Sequence, residues 1–425
     1  MKHNIPKELV QYMMDGIADV CTRFKNRAPG TKSERDAQAF FKKELEGYVD
    51  EVVMEDFTLN PSAFMGVILV AGLFATMGMA LYWWNPSDGS TLSLLMSIAA
   101  AALPLIAALL FIFEVVCYFN FVDFLFPKKV SRNVYATYKP SGEVKKRIIF
   151  GGHTDAANEW TYQWMGGAYM LGPVIGGGVL SIFYLLGLNI AYLIAGSPDR
   201  EGIWKTLGWI AIGTFPFIFA IMFFINYKII VDGATDNLSA NYVSMAVIKD
   251  LHDRGVRFEN TEVGCLLTGS EEAGLRGAKA FAKKHKADLT ANGVETIFIS
   301  LDTMGDMDAL MVYTRGCFGT VKNDDAVGAL IQEAGKNCEV DLPISGWYPG
   351  GVDAEAFSMN GLRSAGFCAV SHEPPPKYFY HTRNDDIAHL NEECITVSLD
   401  VCIEAAEVFD AKGMAPFDAA LAKKK

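Results

Sequence analysis

Basic residues are the minority, 37 lysines and arginines against 49 aspartates and glutamates, for a net charge of −12. A general nucleic-acid binder needs a cationic face to displace counterions from phosphate, so that class is excluded. Charged residues of both signs make up only 20% of the 425 residues, and mean hydropathy is +0.19. That is too apolar for a disordered chain and rather apolar for a wholly soluble one. No C-x-x-C pair occurs among the eight cysteines at 21, 117, 265, 317, 338, 368, 394 and 402. A disulfide framework is therefore not expected, and free thiols in a reducing compartment are. The first sixteen residues, MKHNIPKELVQYMMDG, lack the apolar run and cleavage site of a secretory signal, so targeting is expected from internal segments.

Four such segments are present. Phe57 to Ser87, Gly89 to Phe113, Thr161 to Pro198 and Thr206 to Tyr227 carry no charged residue. A helix rising 1.5 Å per residue needs about 20 apolar residues to cross a ~30 Å hydrocarbon layer. Soluble cores rarely use charge-free runs beyond about 18 residues, and four in one chain point to membrane spans. Pro104 and Pro216 are tolerable inside them. Trp83, Trp84, Tyr118 and Tyr227 would sit at headgroup level. The runs form two hairpins joined by short links, Asn85 to Ser90 and Ser197 to Lys205. Each hairpin returns the chain to its starting side, so everything else lies on one side. That side holds Lys128, Lys129, Arg132 and Lys228 close to the spans, against Arg200 and Lys205 in the links. The positive bias predicts a cytoplasmic location for the bulk of a four-span integral membrane protein.

The rest reads as one α/β domain interrupted twice: 1–61, then a transmembrane hairpin over 62–122, 123–160, a second hairpin over 161–227, and 228–425. Helical periodicity covers 6–28 and 32–49, and DEVVMEDFTL (50–59) alternates like a strand. Strands over 130–138 and 147–151 flank Lys139-Pro140-Ser141-Gly142, a hairpin signal. Strands at 262–268, 296–301 and 309–313 then alternate with helices at 237–254, 272–285 and 324–337. This alternation predicts a mixed, mostly parallel sheet flanked by helices.

Candidate ligands fall at strand ends or the loops beside them. IIFGGHTD supplies His153 and Asp155, VDGATDNLSA supplies Asp236, and LLTGSEEAG supplies Glu271 and Glu272. FISLDTMGD supplies Asp302, and YFYHTRNDD supplies His381. The carboxyl ends of parallel strands are where such sheets build sites, and imidazoles with carboxylates suit zinc. Each residue alone has a plainer reading. A lone His is usually a core residue, a Glu-Glu pair a solvated face, and Asp236 a helix cap. Asp302 follows the apolar IFISL, where an unpaired charge is costly.

Their joint order resembles the di-zinc aminopeptidases of metallopeptidase family 28, whose relatives include glutamate carboxypeptidases and glutaminyl cyclases. H-x-D, D-N-x-S, E-E, L-D-x-x-G and Y-H-T occur here in the family's order. RAPGTKSERDAQAFF is similar to the family's entry helix, and GGVDAEAF (350–357) to the segment before the final His. The resemblance implies two zinc ions held by His153, Asp236, Glu272, Asp302 and His381, with Asp236 bridging. It implies that Asp155 orients His153 and that Glu271 is the general base acting on metal-activated water. Tyr348 is a weaker oxyanion candidate. Arg383 stands where relatives have Pro, Asp385-Asp386 replaces the usual D-T, and Ala240 stands where Gly is frequent. The largest departure is the 83-residue gap from His153 to Asp236 (236 − 153), which the second hairpin fills.

The expected activity is a zinc-dependent exopeptidase, most simply an aminopeptidase acting on peptides, some of them membrane-associated. The alternatives are a carboxypeptidase, a glutaminyl cyclase, or an inactive receptor or transporter on a peptidase-like fold. If the strands flanking the first hairpin are antiparallel and Lys139 to Gly142 reverses the chain again, both hairpins leave from the sheet edge that holds the ligands. The catalytic mouth is then expected to face the bilayer.

Overall fold

Strand-forming segments rich in Val, Ile and Phe assemble into one eight-stranded sheet in this computed structural model, which describes residues 2–345, 350–371 and 379–423. In chain order its strands are β1 (Glu51–Leu59), β2 (Lys129–Tyr138), β3 (Lys146–His153), β6 (Thr261–Thr268), β7 (Glu295–Met304), β8 (Met311–Tyr313), β11 (Ile344–Ser345) and β12 (Arg363–Ala369). Two further pairs stand apart, β4 (Asn158–Trp160) with β5 (Ile225–Ile230) and β9 (Arg315–Gly316) with β10 (Val321–Lys322). The spatial order is β1-β2-β6-β3-β7-β12-β8-β11. β6, β3, β7 and β12 are mutually parallel, β2 runs against β1 and β6, and β8 runs against β12 but parallel to β11. The mixed, mostly parallel sheet expected from the sequence is what forms.

β1 and β2 pair antiparallel with Leu59 opposite Lys129, as expected. The expected hairpin between β2 and β3 does not form. β6 wedges between them, and the connecting loop pairs with the entry to β6, Ser141 N–H to Phe258 O at 2.9 Å and Gly142 N–H to Glu259 O at 2.8 Å. The loop is long enough to step over one strand, a span of about 10 Å. The reversal of direction survives, so β1, β3, β6, β7 and β12 all end at one edge.

Helices α1 (Lys7–Arg23), α2 (Lys32–Leu45), α7 (Ala240–Asp253), α9 (Asp325–Asn337) and α11 (Glu392–Lys412) pack on one face with Ile148 and Phe150 of β3. α8 (Arg276–Leu289) and α10 (Asp353–Met359) cover the other face against Ile149. Alternation along a strand buried on both sides gives this three-layer core. α12 (Ala415–Ala422) closes the chain.

Four long apolar helices project from the ligand-bearing edge: α3 (Ala63–Trp84), α4 (Thr91–Leu110), α5 (Thr161–Ile194) and α6 (Gly202–Ile221). Each is long and apolar enough to cross a membrane. A wider π-type turn, Phe111–Val116, continues α4. The run that begins at Thr206 stops being helical at Ile221, and its tail enters β5. Leu73, Leu95, Leu180 and Ile194 are exposed on the outside of this bundle, where water would leave them uncovered. Small residues make the inner seam. A Cβ on Gly78 would lie 2.7 Å from the ring of Pro104 in α4, the close backbone approach typical of helices packed in lipid.

Candidate active site

His153 ends β3, and a glycine precedes it because the loop before α7 crosses close to the strand. A Cβ on Gly152 would stand 2.9 Å from Ala240 Cβ. Asn241 Nδ2 donates to His153 O at 2.7 Å. Asp236 lies in the irregular turn before α7, where Asp385 accepts both the Thr235 N–H at 2.6 Å and the Asp236 N–H at 3.1 Å. Glu271 and Glu272 follow β6, Asp302 lies near the end of β7, and His381 follows β12.

These groups converge. His153 Nε2 is 3.0 Å from Asp236 Oδ1, 3.8 Å from Glu271 Oε2 and 4.0 Å from Asp302 Oδ2. His381 Nε2 is 3.0 Å from both Asp236 Oδ2 and Glu272 Oε1. Neither of those oxygens has a hydrogen-bond partner, although both are buried. Two ligands of one tetrahedral zinc stand about 3.3 Å apart, so three lone-pair atoms facing one point in this way fit a cation. The triads His153–Asp236–Asp302 and Asp236–Glu272–His381 share Asp236 and turn one of its oxygens to each.

Electrostatics agree. Burial raises Asp302 to about 8, with the Asp236 charge adding to it, and Glu271 and Glu272 are raised by burial and by their acidic neighbours. Burial opposes the charged ring of His381, but Glu272 and Asp236 outweigh it and push it up to about 10. Buried like charges hold protons unless a cation replaces them. The residues present therefore fit a divalent metal.

Asp155 does something the motif does not announce. Its Oδ1 accepts from the Glu271 N–H and its Oδ2 from the Glu272 N–H, each at 3.0 Å. Its carboxylate is 3.5 Å from His153 Nδ1, which is also 3.2 Å from the Asp155 carbonyl. One side chain thus holds the Glu-Glu turn beside His153. Tyr348 lies outside the described residues.

Three contributors are invisible as motifs. Arg383 grips Glu159 through Nε at 2.6 Å and Nη2 at 2.7 Å, tying the His381 loop to β4 at the root of α5. It also covers the Trp164 ring at 4.4 Å. That pair accounts for the arginine where relatives carry proline. Trp160 packs edge-on to the His381 ring at 4.3 Å. Asp353, within GGVDAEAF, accepts from Thr268 Oγ1 at 2.5 Å and leaves its other oxygen unpartnered. Its signal in the sequence is that GGVDAEAF resembles the family's segment before the final His.

A cavity of about 240 Å³ opens directly above these groups. Glu271, Glu272 and His381 lie at its base, and residues from α3, the π-type turn, α5 and α6 make its walls. The mouth faces the apolar helices, which leave from the same sheet edge as the candidate ligands.

The family model described as Peptidase family M28 matches residues 221–406. The match spans 186 of the 425 residues (406 − 221 + 1). It contains Asp236, Glu271, Glu272, Asp302 and His381, while His153 and Asp155 precede it across α5 and α6. No curated protein matches the chain. Among solved structures, the chain is similar to a glutaminyl cyclase from an Acidobacteriales bacterium, at 12% identity and TM-score 0.55 over 97% of this chain and 98% of that one. It is also similar to an aminopeptidase from Aneurinibacillus sp. strain AM-1, at 16% identity and TM-score 0.53 over 94% and 93%. A third is BSAP, a zinc aminopeptidase from Bacillus subtilis, at 13% identity and TM-score 0.51 over 95% and 94%. These likenesses establish the fold. With the M28 match they support a zinc exopeptidase-type hydrolase in general terms.

Proposed function

We propose that the protein is a membrane-embedded, zinc-dependent aminopeptidase. The observation that carries this reading is the convergence of two imidazoles and four carboxylates at the base of an apolar cavity walled mainly by long apolar helices. His153, Asp236, Glu272, Asp302 and His381 would hold two zinc ions, with Asp236 shared. When bound, zinc supplies Lewis acidity toward a scissile carbonyl and brings the pKa of water toward neutrality. Glu271 takes the proton from the attacking water and delivers it to the departing amine. Its burial raises its proton affinity, which suits a group that must both accept and return a proton near neutral pH. Asp155 fixes the backbone of Glu271, and so the angle at which that carboxylate meets the substrate. The peptidase portion is assigned to the cytoplasmic side on the bias of basic residues near the spans.

The test is a panel of peptides with free and blocked amino ends, assayed with and without chelator. Release of the first residue from free-ended peptides only, abolished by chelator and restored by zinc, supports the reading. Cleavage from the carboxyl end, or cyclisation of glutamine-ended peptides without cleavage, would refute it in favour of the carboxypeptidase or the cyclase.

A further inference from the structure

Four independent features of the cavity concern what enters it. Its walls are largely apolar and come mainly from three of the long helices and the turn that continues the fourth: Phe64 and Ile68 of α3, Phe111 of the π-type turn after α4, Leu171 and Ile175 of α5, and Ile221 of α6. Ile175 is about 12 Å along its helix from the break at Gly166–Gly167, so the space extends into the bundle and not only across its end. That break is the second feature. Gly166 and Gly167 leave helical geometry, and Gly167 has φ 56°, a conformation glycine adopts without strain. Non-helical backbone inside a membrane bundle is tolerated where it lines a cavity.

The third feature is Gln163, on the short piece of α5 before the break. It is 1% exposed and lines the cavity, yet neither Nε2 nor Oε1 has a partner. A buried primary amide with nothing to bond is costly, and its donor and acceptor together are the complement of one peptide group. The fourth is the rim. Phe119, Phe124, Leu125, Met165, Tyr169 and Phe223 are exposed around the helix ends on the peptidase side, as expected of residues set at the lipid interface.

We infer that the substrate is a peptide with a large apolar amino end that reaches the site from the lipid phase, its end side chain seated between the spans and its next peptide group read by Gln163. The inference rests on the aminopeptidase reading and adds a substrate class and a specificity-determining residue to it. Phe318 and Tyr380 of the peptidase portion complete the wall, but most of its apolar side chains belong to the inserted helices, so that part of the selectivity belongs to this chain and not to the peptidase fold.

The test uses zinc-loaded full-length enzyme in phosphatidylcholine vesicles. Two peptides share a free Leu-Ala-Ala head, and one continues into an apolar tail that inserts into the bilayer. The tailed peptide is expected to be cleaved with kcat/KM at least about tenfold higher, because insertion concentrates it at the mouth. Ile68→Trp on α3 and Ile175→Trp on α5, which both fill the cavity, should each lower the Leu-over-Gly selectivity of untailed peptides on the order of tenfold. Gln163→Met, which keeps the volume but not the amide, should raise KM on the order of tenfold while changing kcat far less. Equal kcat/KM for the tailed and untailed peptides overturns the inference. So does wild-type selectivity in both tryptophan variants, or an unchanged KM in Gln163→Met. If zinc-loaded wild-type enzyme cleaves neither peptide, the aminopeptidase reading falls, and the inference falls with it.

Discussion

Replacing Asp155 with asparagine separates a structural part from a catalytic one. In the wild type both carboxylate oxygens accept backbone N–H groups, from Glu271 and Glu272, at 3.0 Å each. Asparagine keeps one acceptor and turns an NH₂ toward the other amide, which is buried and has no alternative partner in the turn. An unmade hydrogen bond to a charged acceptor costs about 2–3 kcal/mol. If that cost falls on the placement of Glu271, kcat/KM drops about 30- to 150-fold, at 1.36 kcal/mol per tenfold. The metal-facing oxygens belong to other residues, so zinc content should stay close to wild type. The assay pairs kcat/KM on a leucine-ended peptide with zinc content by mass spectrometry. Activity within twofold of wild type at full zinc content would refute the claim that Asp155 sets the Glu-Glu turn. Loss of zinc in proportion to activity would show instead that it acts through the metal ligands.

Glu271→Gln removes the proton acceptor and should bind zinc normally while losing at least about a hundredfold in kcat; retained turnover in that variant would unseat the assigned base. Arg383→Met leaves Glu159 buried without its cation. With the arginine partly exposed, the cost should be about 1–2 kcal/mol. It should show as a lower unfolding temperature and weaker zinc retention, and be partly recovered by adding Glu159→Gln; no recovery would mean the pair is not what matters. Burial and the Asp155 charge raise Glu34 from 4.5 to about 8, so the folded state keeps a proton that the unfolded chain gives up. The stability from this group is full below pH 4.5 and is lost as pH rises through about 8. Glu34→Gln should flatten the fall in thermal stability over that window, and identical pH profiles would contradict the assignment.

Periodicity and charge carried most of the architecture. The four long apolar helices, the β1–β2 pairing and the convergence of the candidate ligands at strand ends all follow from local pattern plus direction counting. What stayed hidden depended on distant partners. β12, RSAGFCA, has small residues and no strong alternation, and it becomes a strand because β7 and β8 pair on either side of it. Lys139 to Gly142 carries a sound turn signal, but no local feature says that β6 will insert between the strands it joins. The break at Gly166–Gly167 lies inside an unbroken apolar run, and its glycines look like any others in a span. Arg383 registered as a departure from the family, and only its contact with Glu159 turns it into a strut. Asp385 likewise reads as a change of motif until its two oxygens are found holding the turn that carries Asp236.

The two insertions occupy positions that the sheet makes equivalent. The first leaves after β1 and the second after β3 and the short β4, and both strands point toward the edge where β6 and β7 deliver Glu271, Glu272 and Asp302. Placed here, the hairpins put an apolar wall beside the His/Asp/Glu cluster while leaving β6, β7 and β12 uninterrupted. The outer strand β1 could carry an insertion without disturbing the centre of the sheet. The second insertion needed a brace, because it interrupts the chain between His153 and Asp236. The β4–β5 pair closes the base of that insertion through Trp160 N–H to His381 O at 2.9 Å and Thr161 N–H to Phe224 O at 2.8 Å. The same stretch that starts α5 therefore also holds the backbone of His381, the last of the candidate ligands, through the Trp160 N–H.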